Sequence, residues 1–100
     1  MKVLISPGYG AGWSTWNNPE LATDPRVISA FERGVSEEEM RQFCKDIGLT
    51  DSYGDIYMGG FYELEIVEVP AGALFAVQEY DGHEYIEIAE EGVDGWMRAV

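Results

Sequence analysis

The sequence contains no Lys or Arg between Asp46 and Met97, although that stretch holds thirteen of the 19 acidic residues. Its acids are Asp46, Asp51, Asp55, Glu63, Glu65, Glu68, Glu79, Asp81, Glu84, Glu87, Glu90, Glu91 and Asp94. The rest of the chain balances its charges, so the formal net charge of −13 lies in one half of the sequence. Charge of one sign repels itself, and fold stability does not require it. We therefore interpret this acidic stretch as functional and expect a partner that carries positive charge.

Basic patches, cysteine pairs and long apolar runs are also missing. The acidic balance argues against direct binding to nucleic acid or to an anionic membrane surface, because both need clustered Lys and Arg. Cys44 is the only cysteine, which excludes an internal disulfide and is typical of a reduced compartment. The apolar run Val3–Ile5 is far too short for a signal peptide or a membrane span. We expect a cytoplasmic protein.

Residues with the spacing of a catalytic or metal site are scarce. His83 is the single histidine, and Ser14 lies in Gly-Trp-Ser-Thr-Trp, which lacks the second glycine of a nucleophile elbow. Cys44 falls on the apolar stripe of a predicted helix, where cysteine acts as a small hydrophobe. No His/Cys cluster or EF-hand loop is present. We predict no catalytic residue, no metal and no cofactor, and a binding protein rather than an enzyme.

The length and composition predict a single domain over residues 1–100, because 46% of the 100 residues are hydrophobic and can form one core.

The sequence also predicts two short helices. Asp24-Pro25 is a strong helix start, and the helix is expected to end at Gly34. Ser36 with Glu39 predicts a capping box for a second helix that ends at Gly48. Both helices carry apolar residues on one face.

Strand-like segments surround these helices. The predicted strands are Lys2–Ser6, Phe61–Val69, Ala73–Tyr80 and His83–Ala89. The tail with Trp96, Met97 and Val100 is expected to form a short edge strand or a docked end. Short turns at 70–72 and at Asp81-Gly82 predict an antiparallel meander of the last three strands. The predicted fold is α+β, in the order β-α-α-β-β-β. Its antiparallel sheet has three to five strands, with the two short helices packed on one face.

The meander places several acids on one solvent face. Residues i and i+2 of a strand lie roughly 6.5 Å apart, so Glu63 and Glu65 would form a fixed pair that Glu87 extends. The candidate partner-binding residues are Glu63, Glu65, Glu68, Glu79, Asp81, Glu84, Tyr85 and Glu87. Such a face can serve solubility alone or imitate a polyanion. A solubility surface intersperses lysines, and their absence favours imitation of nucleic acid.

Two glycine- and aromatic-rich loops, residues 8–16 and 53–60, support a different reading. They carry Tyr9, Trp13, Trp16, Tyr53 and Tyr57, and could form a site for a small ligand or a nucleotide. The alternative is a structural loop whose tryptophans fold back on the core. Gly8-x-Gly10-x-Gly12 lacks the Lys-Ser/Thr ending of a phosphate loop. Stacking on the aromatic rings is therefore the expected mode of binding.

Three segments resemble a known group of proteins. MKVLISPGYGAGWSTWN (Met1–Asn17), YMGGF (Tyr57–Phe61) and VEVPAGALFAVQEYDGHEYIEI (Val67–Ile88) are similar to small, acidic, uncharacterised proteins of bacteriophages and mobile elements. Small acidic phage proteins include inhibitors of host defence, among them anti-CRISPR proteins and DNA mimics. The resemblance implies a partner-binding role. With the acidic charge, it leads us to expect an inhibitor that binds a basic host protein or nucleoprotein complex in the host cell. The chain leaves open a monomer or a homodimer, which the tail with Trp96 and Met97 could support. It implies no catalytic residue.

Overall fold

The computed structural model describes residues 1–10, 12–89 and 95–100. The elements in chain order are β1 (Lys2–Ile5), α1 (Pro25–Glu32), α2 (Glu37–Asp46), β2 (Glu65–Glu68), β3 (Leu74–Tyr80), β4 (His83–Ala89) and β5 (Met97–Arg98). Short 3₁₀ turns occupy Ser14–Trp16, Pro19–Ala22 and Phe61–Glu63. The predicted α+β class, the two short helices and the antiparallel strands are confirmed.

The helix boundaries follow from local capping. The Asp24 side chain accepts a hydrogen bond from the Arg26 amide at the start of α1, with Pro25 as the first helical residue. Ser36 and Glu39 form the predicted capping box of α2. Gly34 and Gly48 follow the helices with φ of 73° and 77°, a left-handed conformation that glycine adopts without steric cost.

The strands form two antiparallel sheets rather than one meander. β2 pairs with β1, with Val67 opposite Val3 and Ile66 opposite Leu4. The second sheet has the order β4-β3-β5. The predicted pairing of the first and second strands of the meander is therefore wrong, although the short connection at 70–72 is present. The buried side chains on both faces of β1 are apolar. In the sheet with β2, one face of β1 packs against one core cluster and the other face packs against a second.

The core lies in two clusters on either side of β1. Leu4 belongs to the cluster beneath the helices, with residues such as Val27 and Met40. Val3 and Ile5 belong to the cluster between the two sheets, where Phe75 is fully buried. The helices thus cover one face of the first sheet, and the second sheet covers the other.

The second sheet is built on a tight hairpin. Asp81 and Gly82 connect β3 to β4 with φ of 51° and 83°, the two positive values that a type I′ turn requires. Tyr80 pairs with His83 beside this turn. At the far end of β3, Met97 of β5 pairs with Phe75, so the tail forms the edge strand that was one of its two expected arrangements. None of the described helices has the length and apolar character needed to cross a membrane.

Candidate partner-binding site

The three acids expected to form one carboxylate array lie on different elements. Glu63 ends a 3₁₀ turn, Glu65 begins β2 in the first sheet, and Glu87 lies on β4 in the second sheet. All three are exposed. The predicted array on one sheet face is wrong, because the chain enters β2 only at Glu65. The acidic residues Glu90, Glu91 and Asp94 lie outside the described residues.

The fold gathers a different set of acids at one end of the molecule. Glu65 pairs with Ile5 at the end of β1, and the Ser6 carbonyl accepts a hydrogen bond from the Glu84 amide at the start of β4. The Gly10 amide donates to the Asp81 carbonyl in the hairpin turn. These contacts bring the ends of four strands together. We call the exposed acids at this end, Glu63, Glu65, Glu79 and Asp81, the acidic pole.

Gly8 allows the close approach of one member of the acidic pole. A methyl group added at Gly8 would lie 2.6 Å from Cγ of Glu63, so only glycine leaves room for this side chain as placed. Glu63 therefore lies over the loop that carries Tyr9. The sequence offered a partial signal for this contact in the alternate glycines of the loop.

The described ion pairs of the basic groups involve acids outside the acidic pole. Lys2 bonds Glu32 at 2.6 Å, and Arg41 and Lys45 approach Asp55 at 3.1 and 3.8 Å. Arg98 pairs opposite Leu74, six residues along β3 from Tyr80, or roughly 20 Å. The other described ion pairs join Arg26 to Asp24 and the N-terminal amine to Glu68. Among the described residues, none of the acidic-pole carboxylates has a basic group within 4.0 Å.

Ion pairing and hydrogen bonding shift the pKa values of several charged groups outside the acidic pole. The Lys2 pKa is raised by its hydrogen bond to Glu32 and the nearby negative charge. The Asp55 pKa is lowered first by the Ile56 amide and then by the positive charges of Lys45 and Arg41. Glu68 pairs with Lys2 across the first sheet and lies 3.6 Å from the N-terminal amine. The Glu68 carboxylate therefore lies at the opposite end of the first sheet from Glu65, outside the acidic pole.

Three aromatic rings form an exposed stack beside the acidic pole. The rings of Tyr9 and His83 are 4.9 Å apart at 19°, and those of His83 and Tyr85 are 5.9 Å apart at 29°. Tyr9 is 70% exposed and Tyr85 is 40% exposed. Tyr85 and Glu87 share the outward side of β4, as the alternation predicts. Sequence reasoning missed His83 as a site residue, because the stack depends on contact with a loop more than 70 residues earlier.

Glu84, a predicted partner-binding residue, is fully buried. Its Oε1 accepts from the Ser6 amide at 2.9 Å, and its Oε2 accepts from the amides of Trp13 and Thr15 at 2.9 Å each. The Thr15 hydroxyl donates to the same oxygen at 2.6 Å. Glu84 therefore cannot contact a partner, and it holds the N-terminal loop to β4. Glu84 lies two residues before Ile86 on β4, so both side chains point to the same face of the sheet, where Ile86 packs against the core. This alternation was the signal in the sequence for the burial of Glu84.

Trp13 is also buried, so its predicted role in a ligand loop is wrong. Its indole Nε1 donates to the Leu21 carbonyl at 3.2 Å inside the core. Trp16 remains partly exposed, and its ring lies 5.3 Å from that of Tyr57. Tyr53, at the tip of the second loop, is 93% exposed.

The two aromatic loops meet through one amide side chain. Asn17 Oδ1 accepts from the Tyr57 amide at 2.7 Å, and Nδ2 donates to the Tyr57 carbonyl at 2.9 Å. The Tyr57 hydroxyl donates to the Gly10 carbonyl at 3.2 Å. The predicted proximity of the loops is thus present, although Ala11 of the first loop lies outside the described residues.

A mainly apolar cavity of about 350 Å³ lies next to the first loop. Ser14, Thr15 and Asn17 line one side, and Phe75 and Met97 are among the residues of the other. None of the described residues that line it is basic. This composition suits an uncharged ligand rather than a nucleotide.

The described residues offer neither a readily ionised cysteine nor a cluster of metal ligands. Cys44 is buried, and desolvation raises the pKa of its thiol to about 11. Within residues 1–10, 12–89 and 95–100, no group of three or more His, Cys, Asp and Glu could hold a metal ion. No protein-family model, curated protein or solved structure matches the chain significantly.

Proposed function

We propose that this protein is a phage-type, non-enzymatic inhibitor of host defence, of the anti-CRISPR kind, that acts in the host cytoplasm. It binds a basic, nucleic-acid-binding surface of a host protein complex. The acidic pole supports this proposal: Glu63, Glu65, Glu79 and Asp81 are exposed at one end, with no basic group of the described residues within 4.0 Å.

The separation of charge gives the pole its effect on a partner. Most of the described bases lie on the helices or near the N-terminus, and several are neutralised by local acids. The field at the acidic pole is therefore not cancelled nearby. A basic channel built for a phosphate backbone attracts such a field and associates faster at low salt. Mimicry of this kind relies on charge density rather than on an exact phosphate spacing.

Charge neutralisation tests the proposal. The pole variant carries Glu63→Gln, Glu65→Gln and Asp81→Asn. Its matched control carries Glu20→Gln, Glu38→Gln and Asp46→Asn, which remove the same charge from exposed positions outside the pole. Each protein is immobilised and exposed to a bacterial lysate, and bound proteins are eluted by salt and identified. Circular dichroism checks that both variants fold.

The pole variant and its control should differ in the proteins that they retain from the lysate. We expect the parent and the control to retain a nucleic-acid-binding complex that the pole variant loses, and we expect DNA or RNA to compete with the parent for that complex. Equal retention by the pole variant and the control would contradict the proposal. So would a complex that holds its nucleic acid and this protein at the same time.

A second candidate function follows from the apolar cavity beside the first loop. Its volume of about 350 Å³ is within the range of small-molecule sites, and Ser14, Thr15 and Asn17 supply polar groups at its wall. The protein would then bind a small uncharged ligand. Thermal-shift screening of neutral metabolites and nucleotides tests this function, because a bound ligand raises the Tm. Stabilisation by none of the compounds would count against it.

A further inference from the structure

The exposed stack of Tyr9, His83 and Tyr85 has a fixed geometry. His83 Nδ1 hydrogen-bonds the Pro7 carbonyl, and the Gly10 amide bonds the Asp81 carbonyl on either side of Tyr9. The next residue along β4, Glu84, is anchored by the Ser6, Trp13 and Thr15 amides. The loop and the strand that supply the rings are therefore tied together at several points. A partner meets preformed ring faces and loses little entropy in ordering them.

Two members of the acidic pole adjoin the segments that carry these rings. Glu63 lies over Gly8, which precedes Tyr9 in the chain. Asp81 is joined to Gly10 through its carbonyl and lies two residues before His83. An aromatic face with a carboxylate at its edge is suited to a planar cation. Its π-face attracts positive charge, and the carboxylate accepts paired N–H donors.

We propose that the stack of Tyr9, His83 and Tyr85, with Glu63 and Asp81 beside it, binds arginine side chains of a basic partner. This inference rests on the proposed function and specifies the partner's chemistry. The guanidinium group of arginine is planar, stacks on aromatic rings and binds carboxylates in a two-pronged manner. Lysine is a compact, strongly hydrated charge that gains less from either contact.

The same rings could also stack on nucleobases. A bound single strand would bring its phosphates close to the carboxylates of Glu63 and Asp81, with no basic group of the described residues within 4.0 Å of either. Electrostatic repulsion therefore favours an arginine-rich protein segment over a nucleic acid.

Two peptides of equal charge test the inference on the full chain. Fluorescent octa-arginine and octa-lysine are titrated with the protein at low salt, and anisotropy reports binding. We expect octa-arginine to bind about fivefold more tightly, from stacking on two exposed ring faces. Tyr9→Leu, which removes one of the two exposed ring faces, should reduce this preference to about twofold while leaving octa-lysine binding unchanged. Tyr53→Leu, which alters another highly exposed tyrosine outside the stack, should preserve the preference.

The outcomes distinguish this inference from the function on which it rests. Equal affinity for the two peptides, with both lost in the pole variant, would overturn the arginine inference and leave the proposed function in place. Failure of both peptides to bind would contradict the inference and the proposed function alike. Tight binding of a single-stranded DNA octamer that depends on Tyr9 would also overturn the arginine inference.

Discussion

The carboxylate of Glu84 accepts a hydrogen bond of 2.9 Å from the backbone amide of Trp13, which lies 71 positions earlier in the chain. Ser6 and Thr15 complete the set of donors, and all four described contacts donate to the carboxylate. An ionised carboxylate accepts such contacts at both oxygens. No basic side chain of the described residues forms an ion pair with it. Glu84 is therefore held in the core by hydrogen bonds from three backbone amides and the Thr15 hydroxyl rather than by an ion pair.

Replacement of Glu84 by Gln should destabilise the protein. The amide group of glutamine would turn N–H donors toward the amides of Ser6 or Trp13, leaving buried donors unpaired. We expect a loss of about 2–4 kcal/mol in the free energy of unfolding, measured by urea denaturation. Glu79→Gln is the matched control, because Glu79 lies directly opposite on β3 but is exposed. A Glu84→Gln protein as stable as this control would show that the buried contacts contribute nothing.

Removal of the Asn17 side chain should loosen the junction of the two aromatic loops. Asn17→Ala deletes the hydrogen bonds to the amide and the carbonyl of Tyr57 and the one to the Trp13 carbonyl. Because the site is partly exposed, water replaces some of them, and we expect a loss of about 1–2 kcal/mol. Hydrogen exchange of the Tyr57 amide should accelerate by more than exchange across β3 and β4. Unchanged exchange at Tyr57 would contradict the described contact.

Cys44 should be unreactive in the folded protein. Desolvation raises the pKa of its thiol to about 11, so about a thousandth of it is ionised at pH 8, and the thiolate is the reactive form. We expect slow modification by a thiol reagent such as DTNB in buffer and rapid modification in concentrated urea. Equal rates in both conditions would show that Cys44 is exposed.

The capping box of α2 should contribute stability that depends on pH. Hydrogen bonds from Ser36, first from its backbone, lower the pKa of the Glu39 carboxyl below its ordinary value. The contribution is therefore present above the unfolded-state pKa and is lost as pH falls through the folded-state pKa. The free energy of unfolding of Glu39→Gln should fall less than that of the parent between about pH 6 and about pH 3.

Glu38→Gln provides the charge-matched control for this pH dependence. Glu38 precedes Glu39 on α2 and is exposed. Its replacement removes the same charge and leaves the capping box intact, so this variant should retain the parental fall in stability. Urea denaturation at both pH values gives the comparison. Indistinguishable pH dependence in the two variants would contradict the role of the box.

Local interactions explain which parts of the fold were predictable. The helix starts at Asp24 and Ser36 and the hairpin at Asp81-Gly82 depend on residues within four positions of one another, so the sequence displays them directly. The pairing of β2 with β1 joins Val67 to Val3 and has no local signature. The turn at 70–72 suits a hairpin as well as a passage between two sheets, and the burial of β1 decides between them.

For the candidate site, the sequence predicted the types of side chain but not which of them lie together. The excess of acids and the tyrosine among them pointed to Glu65, Glu87 and Tyr85, which are exposed as expected. The stack of Tyr9 on His83 and the burial of Glu84 arise from contacts between the two ends of the chain. The alternate glycines around Trp13 are compatible with a binding loop and with a loop that folds back on the core, and the structure shows the second arrangement for Trp13.

The anchoring of the N-terminal loop by Glu84 has a consequence for synthesis on the ribosome. The amides of Ser6, Trp13 and Thr15 are made well before the carboxylate that accepts their hydrogen bonds, which lies 71 positions after Trp13. Until β4 is made, these three amides lack this acceptor. The loop should therefore depend on synthesis of β4 for its native order, and truncation before β4 should leave it without that order.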